Sequence, residues 1–569
     1  MTRPILILVA WALLCAGPAR AQIVVYEERG ENPGDSFGAA LVVSADLDGD
    51  GVGDVWVGAP RTGFGAANGG SAYALSGASG ALLFRVDGSA GGERLGQAVG
   101  WLGDIDGDGV GDLLVGAPFH SAGAFFGGGA YALSGANGRT IHFIAGSEAF
   151  ALFGMAVAGA GDVDGDGIDD FLVGAPGEDS NGSDAGSLYV FSGASGAQLA
   201  QHVGDLAGDE LGSSACGLGD IDGDGRADFA AGAPRDDNGG NDSGSVRIWS
   251  GQSGQILFTV HGNSAGERFG FALAALGDVD GDGAGDLAVG APFDPGGGAD
   301  AGSLTVLSCA TASVLFEIQG STQSLLGSCL SSAGDADGDL VPDLLAGAPG
   351  ANNAEVYSGV AGVSLLTLQA QSGSASFGSS VAGGFDIDGD GHGELVVADK
   401  LFAAGGRLLA FSDHNLFGTT YCFGDGSGTP CPCGNGGGGQ EGCANSSGVG
   451  AHLEGSGTAS LAADDLEFAA QGLVPGQPAL LISADNRVQS GAGALFGDGL
   501  RCAGGALKRL AVQASDPTGA AGFGPSLSPA GAWAPGDTRR FQVWYRDPLA
   551  SPCGAGFNLS NGFELAFSP

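Results

Sequence analysis

The sequence predicts an all-β chain: a seven-bladed β-propeller followed by a small disulfide-containing β-sandwich-like C-terminal domain. Three observations carry that prediction. A nine-residue acidic loop, Asp-x-Asp-Gly-Asp-Gly-x-x-Asp in its fullest form, recurs from Asp46, Asp104, Asp162, Asp220, Asp278, Asp335 and Asp386, with the first five starts 58 residues apart and the next two steps 57 and 51. A fixed period of this size means one supersecondary unit stacked on copies of itself. Each unit also holds four short β-prone runs parted by Gly-rich turns, and 114 of the 569 residues are glycine, which permits such turns at little steric cost. Finally, the repeat stops near residue 412 and a Cys/Gly/Pro-rich stretch begins.

Taken in chain order, residues 1–21 read as a secretory signal. Arg3 supplies positive charge, residues 5–14 form an apolar core, and Ala19-Arg20-Ala21 suits cleavage before Gln22. Leu14 is too large to precede a lipidated Cys15. Residues 22–412 form the repeat region. Each unit opens on an apolar stretch led by Phe-Gly or Leu-Gly, such as Phe37-Gly38, Leu95-Gly96 and Phe153-Gly154. The acidic loop follows, then a run such as Leu113-Leu114-Val115 closed by Gly-Ala-Pro, ending at Pro60, Pro118, Pro176, Pro234, Pro292 and Pro349. An alternating segment such as 187–191 and a last apolar run such as 256–258 complete the unit. Bounded β-prone runs of this kind are strands, and no later segment has sustained helical periodicity. Four-stranded units repeated seven times suit a propeller of about 4–8 blades. Residues 23–26 stand where later units have a fourth strand, and blade seven lacks its own. The N-terminal segment is therefore expected to complete blade seven and cover a sheet edge.

The acidic loops predict a hard cation. Calcium takes about 6–8 oxygen ligands, and each loop concentrates carboxylates. The candidate ligands are Asp46, Asp48, Asp50 and Asp54 with the carbonyl of Val52; Asp104, Asp106, Asp108 and Asp112 with Val110; and Asp162, Asp164, Asp166 and Asp170 with Ile168. Next come Asp220, Asp222, Asp224 and Asp228 with Arg226; Asp278, Asp280, Asp282 and Asp286 with Ala284; and Asp335, Asp337, Asp339 and Asp343 with Val341. The seventh set is Asp386, Asp388, Asp390 and Glu394 with His392. An EF-hand loop would carry an acid at its twelfth position, where these copies read Val57, Val115, Val173, Ala231, Val289, Ala346 and Val397. A β-hairpin calcium loop fits instead. Up to seven Ca2+ ions are expected, the sixth site weakest because Leu340 and Pro342 interrupt its loop.

Phe-Gly, an Asp-rich loop and Gly-Ala-Pro in this order resemble the FG-GAP repeat. Residues 23–412 look like the calcium-bearing blades of integrin α-subunit propellers and of many secreted bacterial relatives. The resemblance implies a ligand face opposite the calcium loops. That face would comprise loops 177–186, 235–244 and 293–302, and blade-to-blade loops such as 87–95 and 204–211.

Charge and cysteine content bound the partners and the compartment. The formal charge is −44, from 64 acidic and 20 basic residues, which disfavours nucleic acid and anionic membrane surfaces. No run after the signal approaches the ~20 apolar residues of a membrane helix. A secreted, periplasmic or cell-surface location follows, with an extracellular or envelope protein or polysaccharide as partner. Six cysteines, Cys422, Cys431, Cys433, Cys443, Cys502 and Cys553, lie in the tail and predict three disulfides of open connectivity. In the repeats, a bridge between Cys309 and Cys329 is an option. Residues 413–447 read as a Cys/Gly-rich connector and 448–569 as a β-rich domain, with strands near 479–483, 507–512, 540–545 and 563–567. This tail looks like modules appended to exported bacterial proteins, which implies surface association or binding.

The predicted function is non-catalytic adhesion or recognition. The alternatives are a secreted hydrolase or lyase acting on polysaccharide or lipid, and a purely structural envelope protein. The seven histidines are scattered without metal-triad spacing.

Overall fold

The computed structural model describes residues 24–336, 341–369, 373–388 and 393–411 of the repeat region. In the tail it describes 419–421, 429–436, 442–456, 466–488, 493–525, 527–531, 533, 538–548 and 552–566. Residues 1–23, expected to contain the signal, lie outside this set.

Seven antiparallel sheets of four strands make a seven-bladed β-propeller. Blade one is Ala40–Ser44, Asp54–Ala59, Ser71–Leu75 and Leu82–Asp87, joined in sequence order. Blades two to six repeat that order. Blade seven contains Phe377–Phe385, Glu394–Asp399 and Arg407–Phe411, and Val24–Arg29 pairs antiparallel with Arg407–Phe411. The first strands of successive blades contact one another, and Phe377–Phe385 of blade seven contacts Ala40–Ser44 of blade one. The N-terminal strand therefore completes blade seven and covers the edge of Arg407–Phe411 where the ring closes.

The repeat motifs are the blade-to-blade seams. The second strand of a blade, such as Asp170–Ala175, is buried along its whole length. Burial on both faces explains its continuous apolar run. Each seam is filled from two neighbouring blades: Val55, Val57 and Tyr73 of blade one pack with Val396, Ala398 and Leu408 of blade seven. The glycine of Gly-Ala-Pro lies against the Phe-Gly or Leu-Gly glycine of the next blade. A Cβ on Gly174 would come within 1.9 Å of the Gly212 carbonyl oxygen, and one on Gly58 within 2.1 Å of that of Gly96. Gly212 itself has φ +86°, the left-handed region that glycine enters freely. Both glycines are thus dictated by close backbone approach.

The tail packs two main sheets over one core, with two further two-stranded ladders, Asn486–Arg487 with Ala503–Gly504 and Ala494–Phe496 with Gly499–Arg501. The larger runs Thr419–Tyr421, Gly562–Ala566, Thr538–Arg546, Pro478–Ala484, Lys508–Ala514, with Phe557–Leu559 also on Thr538–Arg546. The smaller holds His452–Ser456, Glu467–Gln471 and Ala521–Phe523. Leu453 and Phe468 from the smaller sheet meet Leu481, Phe541 and Val543 from the larger, as in a β-sandwich. Cys431 and Cys443 form a disulfide, and Cys502 and Cys553 each take part in a disulfide. Cys422 lies outside the described residues.

One cysteine expectation is corrected. Cys309 and Cys329 are both free, as is Cys216. Cys309 follows the third strand of blade five at the acidic-loop end, where its N–H donates to Asp286 at 3.3 Å. Cys329 begins the first strand of blade six at the other end, and its Sγ contacts the Gly378 carbonyl oxygen at 3.2 Å. Antiparallel topology puts the two thiols at opposite ends of their blades.

Candidate metal centres in the acidic loops

In blades one to five the acidic loop is the turn between the first two strands, and its first aspartate organises it. In loop one, Gly49 and Asp50 donate backbone N–H groups to Asp46 Oδ1 at 2.6 and 3.1 Å, and Gly51 donates to Oδ2 at 2.8 Å. Asp50 N–H also reaches Asp48, and Val52 N–H reaches Asp50, both at 3.1 Å. Loops two, four and five repeat the contact from the first glycine to the first aspartate at 2.7, 2.8 and 2.7 Å. The turn wraps its backbone donors around one carboxylate, which leaves the remaining acidic oxygens converging.

That convergence is compact. Carboxylate oxygens of Asp46, Asp48 and Asp50 lie within 4.8 Å of one another, as do those of Asp104, Asp106 and Asp108, and of Asp278, Asp280 and Asp282. In loops three and four the ninth position joins instead: Asp162, Asp164 and Asp170, and Asp220, Asp222 and Asp228. Oxygens about 2.3–2.6 Å from a shared ion can stand no more than about 5 Å apart, so each group fits one hard cation. Of the expected sixth and seventh ligand sets, Asp337, Asp339, Asp390 and His392 lie outside the described residues.

The ninth position does more than line the turn. Asp54 is fully buried; its Oδ2 accepts from Leu47 N–H at 2.6 Å and its Oδ1 from Gly77 N–H at 2.9 Å. Leu47 belongs to the acidic loop, whereas Gly77 sits in the turn between strands three and four. The same latch joins Asp112 to Ile105 and Gly135, Asp170 to Val163 and Gly193, and Asp228 to Ile221 and Gly251. Asp343 holds Ala336 and Gly359, and Glu394 reaches Ile387 at 2.7 Å. Burial pushes Asp54, Asp112 and Asp170 up to about 6, against the pull of these N–H donors. Sequence reasoning assigned this residue to the metal and missed Gly77, Gly135, Gly193 and Gly251. The signal was present in the constant spacing from the ninth acid to the Ser-Gly turn.

Two arginines touch the clusters. Arg226, in loop four, places Nη1 3.9 Å from Asp162 Oδ1 of loop three. Arg139 Nη2 lies 3.7 Å from Asp106 Oδ2.

A propeller whose blades each turn on an acidic hairpin loop defines the class of protein. The FG-GAP repeat family model matches residues 153–191, 211–249 and 269–307. Integrin alpha-4 of Xenopus laevis is 34% identical over 165 residues, covering 27% of this chain and 16% of that protein. Integrin alpha-V of Gallus gallus is 31% identical over 221 residues, covering 36% and 21%. The chain thus spans about a fifth or less of the length of these curated relatives. A solved structure, BBS1N in complex with ARL6DN, soaked with lead, covers 69% of this chain and 98% of its own at TM-score 0.44 and 9% identity, too loose a likeness to bear on function. The chain carries FG-GAP repeats, and part of it is similar to integrin α subunits. Among the described residues, no helix is long and apolar enough to cross a membrane.

Proposed function

We propose that this protein is an exported, calcium-loaded recognition scaffold that binds an extracellular or envelope protein or polysaccharide and has no catalytic chemistry of its own. The observation that carries the reading is the recurrence of one three-carboxylate cluster in the same turn of five blades. Asp46, Asp48, Asp50, Asp54 and the Val52 carbonyl would hold the ion in blade one, with the matching residues doing so in the others. A bound divalent ion would neutralise the clustered carboxylates and tie the first two strands of a blade together.

Ligand binding is assigned to the opposite end of the blades. Alternating strand direction sends the Gly-Ala-Pro loops and the blade-to-blade loops there. These loops support one another through bridges such as Gly70 with Leu95, Gly186 with Leu211 and Gly244 with Phe269, which gives a continuous surface braced around the ring. The integrin alpha relatives support an adhesion role at the surface or outside the cell.

The test is a pull-down of envelope polymers and proteins by residues 22–569 in calcium and in EDTA, with a thermal melt run alongside. Specific capture that is lost in EDTA, and lost when loop 235–244 becomes a Gly/Ser linker in a protein of unchanged melting temperature, supports the reading. Capture unaffected by the loop replacement overturns the face assignment. Absence of any capture by folded, calcium-loaded protein overturns the recognition role.

A further inference from the structure

We propose that the C-terminal domain carries a separate binding cleft for an acidic polysaccharide, with a uronate-type ring packed on aromatic side chains and its carboxylate on Arg546. The cleft has a volume of about 450 Å3 and opens on the outer face of the larger tail sheet, within the size range of ligand sites. Strand alternation creates it. Phe541, Val543 and Tyr545 of Thr538–Arg546 point into the sandwich core, so Trp544 and Arg546 point outward. Leu480, Val512 and Phe557, from three adjoining strands, complete the wall. Four neighbouring strands span about 14 Å, room for more than one sugar ring.

The aromatic groups form a corner. Trp544 and Phe557 have ring centroids 5.2 Å apart at 66°, and Phe496 stands 5.4 Å from Phe557 at 56° and 6.0 Å from Trp544 at 71°. Phe496 is 38% exposed and Val512 64%. The cleft's own aromatic rings, Trp544 and Phe557, are half-buried, and their open edges and faces suit the C–H face of a pyranose, whose hydroxyls stay hydrated.

Charge selects an acidic sugar over a neutral one. Arg546 is the cleft's sole charged lining residue, in a chain with 64 acidic and 20 basic residues. It is exposed and makes no ion pair among the described residues. Arg501, its guanidinium 5.6 Å from the Phe496 centroid, likewise has no ion pair among the described residues. The nearby acids, Asp547 and Asp498, are buried in the domain. Each engages backbone donors through one oxygen: Asp547 accepts from Ser446 N–H, and Asp498 from Cys553 and Ala555 N–H. Asp547 Oδ1 and Asp498 Oδ2 have no hydrogen-bond partner among the described residues. The cleft is therefore a positive, aromatic-lined site on an otherwise acidic molecule. A carboxylate on the ligand would meet a guanidinium with no ion-pair partner among the described residues.

The test is gel retardation of the calcium-loaded mature chain in polygalacturonate and in its fully methyl-esterified form, which keeps the ring and removes the charge. Retardation by the acid polymer and little by the ester is expected. Arg546→Gln, a surface change that should leave folding intact, should weaken retardation about tenfold. Trp544→Ala should abolish it, with circular dichroism confirming the fold. Three results would overturn the proposal: no retardation, equal retardation by the ester, or retardation unchanged in Arg546→Gln. The last would mean that calcium bridges the polymer to the propeller's acidic loops.

Discussion

At the residue scale, the acidic loop divides its carboxylates between two tasks. Asp164 is exposed and accepts one N–H, from Asp166 at 3.1 Å, whereas Asp170, though part of the same carboxylate cluster, is buried with both oxygens holding backbone donors from two different turns. Replacing Asp170 by Asn sets an amide group against one of those N–H donors and leaves it unsatisfied, at a cost of about 1–3 kcal/mol. Asp170→Asn should therefore lower the urea midpoint even in EDTA. Asp164→Asn should leave that midpoint nearly unchanged and reduce only the calcium-induced increase. Equal midpoints for the two variants in EDTA would remove the latch role. The acidic residues and their register were legible because the loop repeats with its strand context. The latch was not, because its partner is a glycine N–H 23 residues away in blades one to four, and a backbone donor leaves no compositional mark. The cleft around Trp544 was illegible for a related reason: it gathers residues from four strands and needs the pairing order before it exists.

Within a blade and across its seams, packing is set by very short distances, and two substitutions probe it. Gly174→Ala would drive a methyl group to within 1.9 Å of the Gly212 carbonyl oxygen. Backbone on both sides leaves no flexible atom to yield, so the cost should be about 2–4 kcal/mol, read as a fall in melting temperature with the ligand loops untouched. The second probe is His202, on the outer strand Gln198–Val203 of blade three. Its ring lies 4.8 Å from Trp249 and 5.5 Å from Phe229 of blade four, and Nε2 has no hydrogen-bond partner among the described residues. Burial lowers its pKa to about 4, below the usual value near 6.5. The unfolded chain therefore takes up the proton first as pH falls, and the stability present above about 6.5 is lost progressively toward 4. His202→Phe should keep the seam filled and lose about 1 kcal/mol less than the parent between pH 7 and pH 5, after allowance for partial solvent screening. Identical pH slopes in urea titrations would exclude a neutral histidine at this seam. The blade strands themselves were readable from β-prone runs and Gly-rich breaks, and the phase of the repeat placed residues 23–26 at a fourth-strand position. The seam chemistry was not readable, since neighbours there are a full repeat apart.

For the whole molecule, the question is whether its acidity is merely solvated or is organised around ions. A ring carrying most of a −44 charge repels itself, and any salt screens that repulsion, with a Debye length near 3 Å at 1 M. Coordination differs from screening because it needs oxygen lone pairs at fixed separations, which the clusters of blades one to five offer within 4.8 Å. The two cases separate in a melt at 0.5 M NaCl. If the loops coordinate calcium, 1 mM CaCl2 should still raise the melting temperature at that salt, and the increase should grow with the logarithm of free calcium. Each site held at 100 times its dissociation constant would contribute about 2.7 kcal/mol if the unfolded chain does not bind. Magnesium should do less, because it keeps its waters and demands stricter octahedral geometry. If 0.5 M NaCl alone gives the full stabilisation and calcium adds nothing, the loops are solvated acidic turns and the calcium-loaded scaffold is wrong. A calcium effect that survives high salt would instead tie the stiffness of every blade, and so the spacing of loops on the opposite face, to occupancy of the acidic turns.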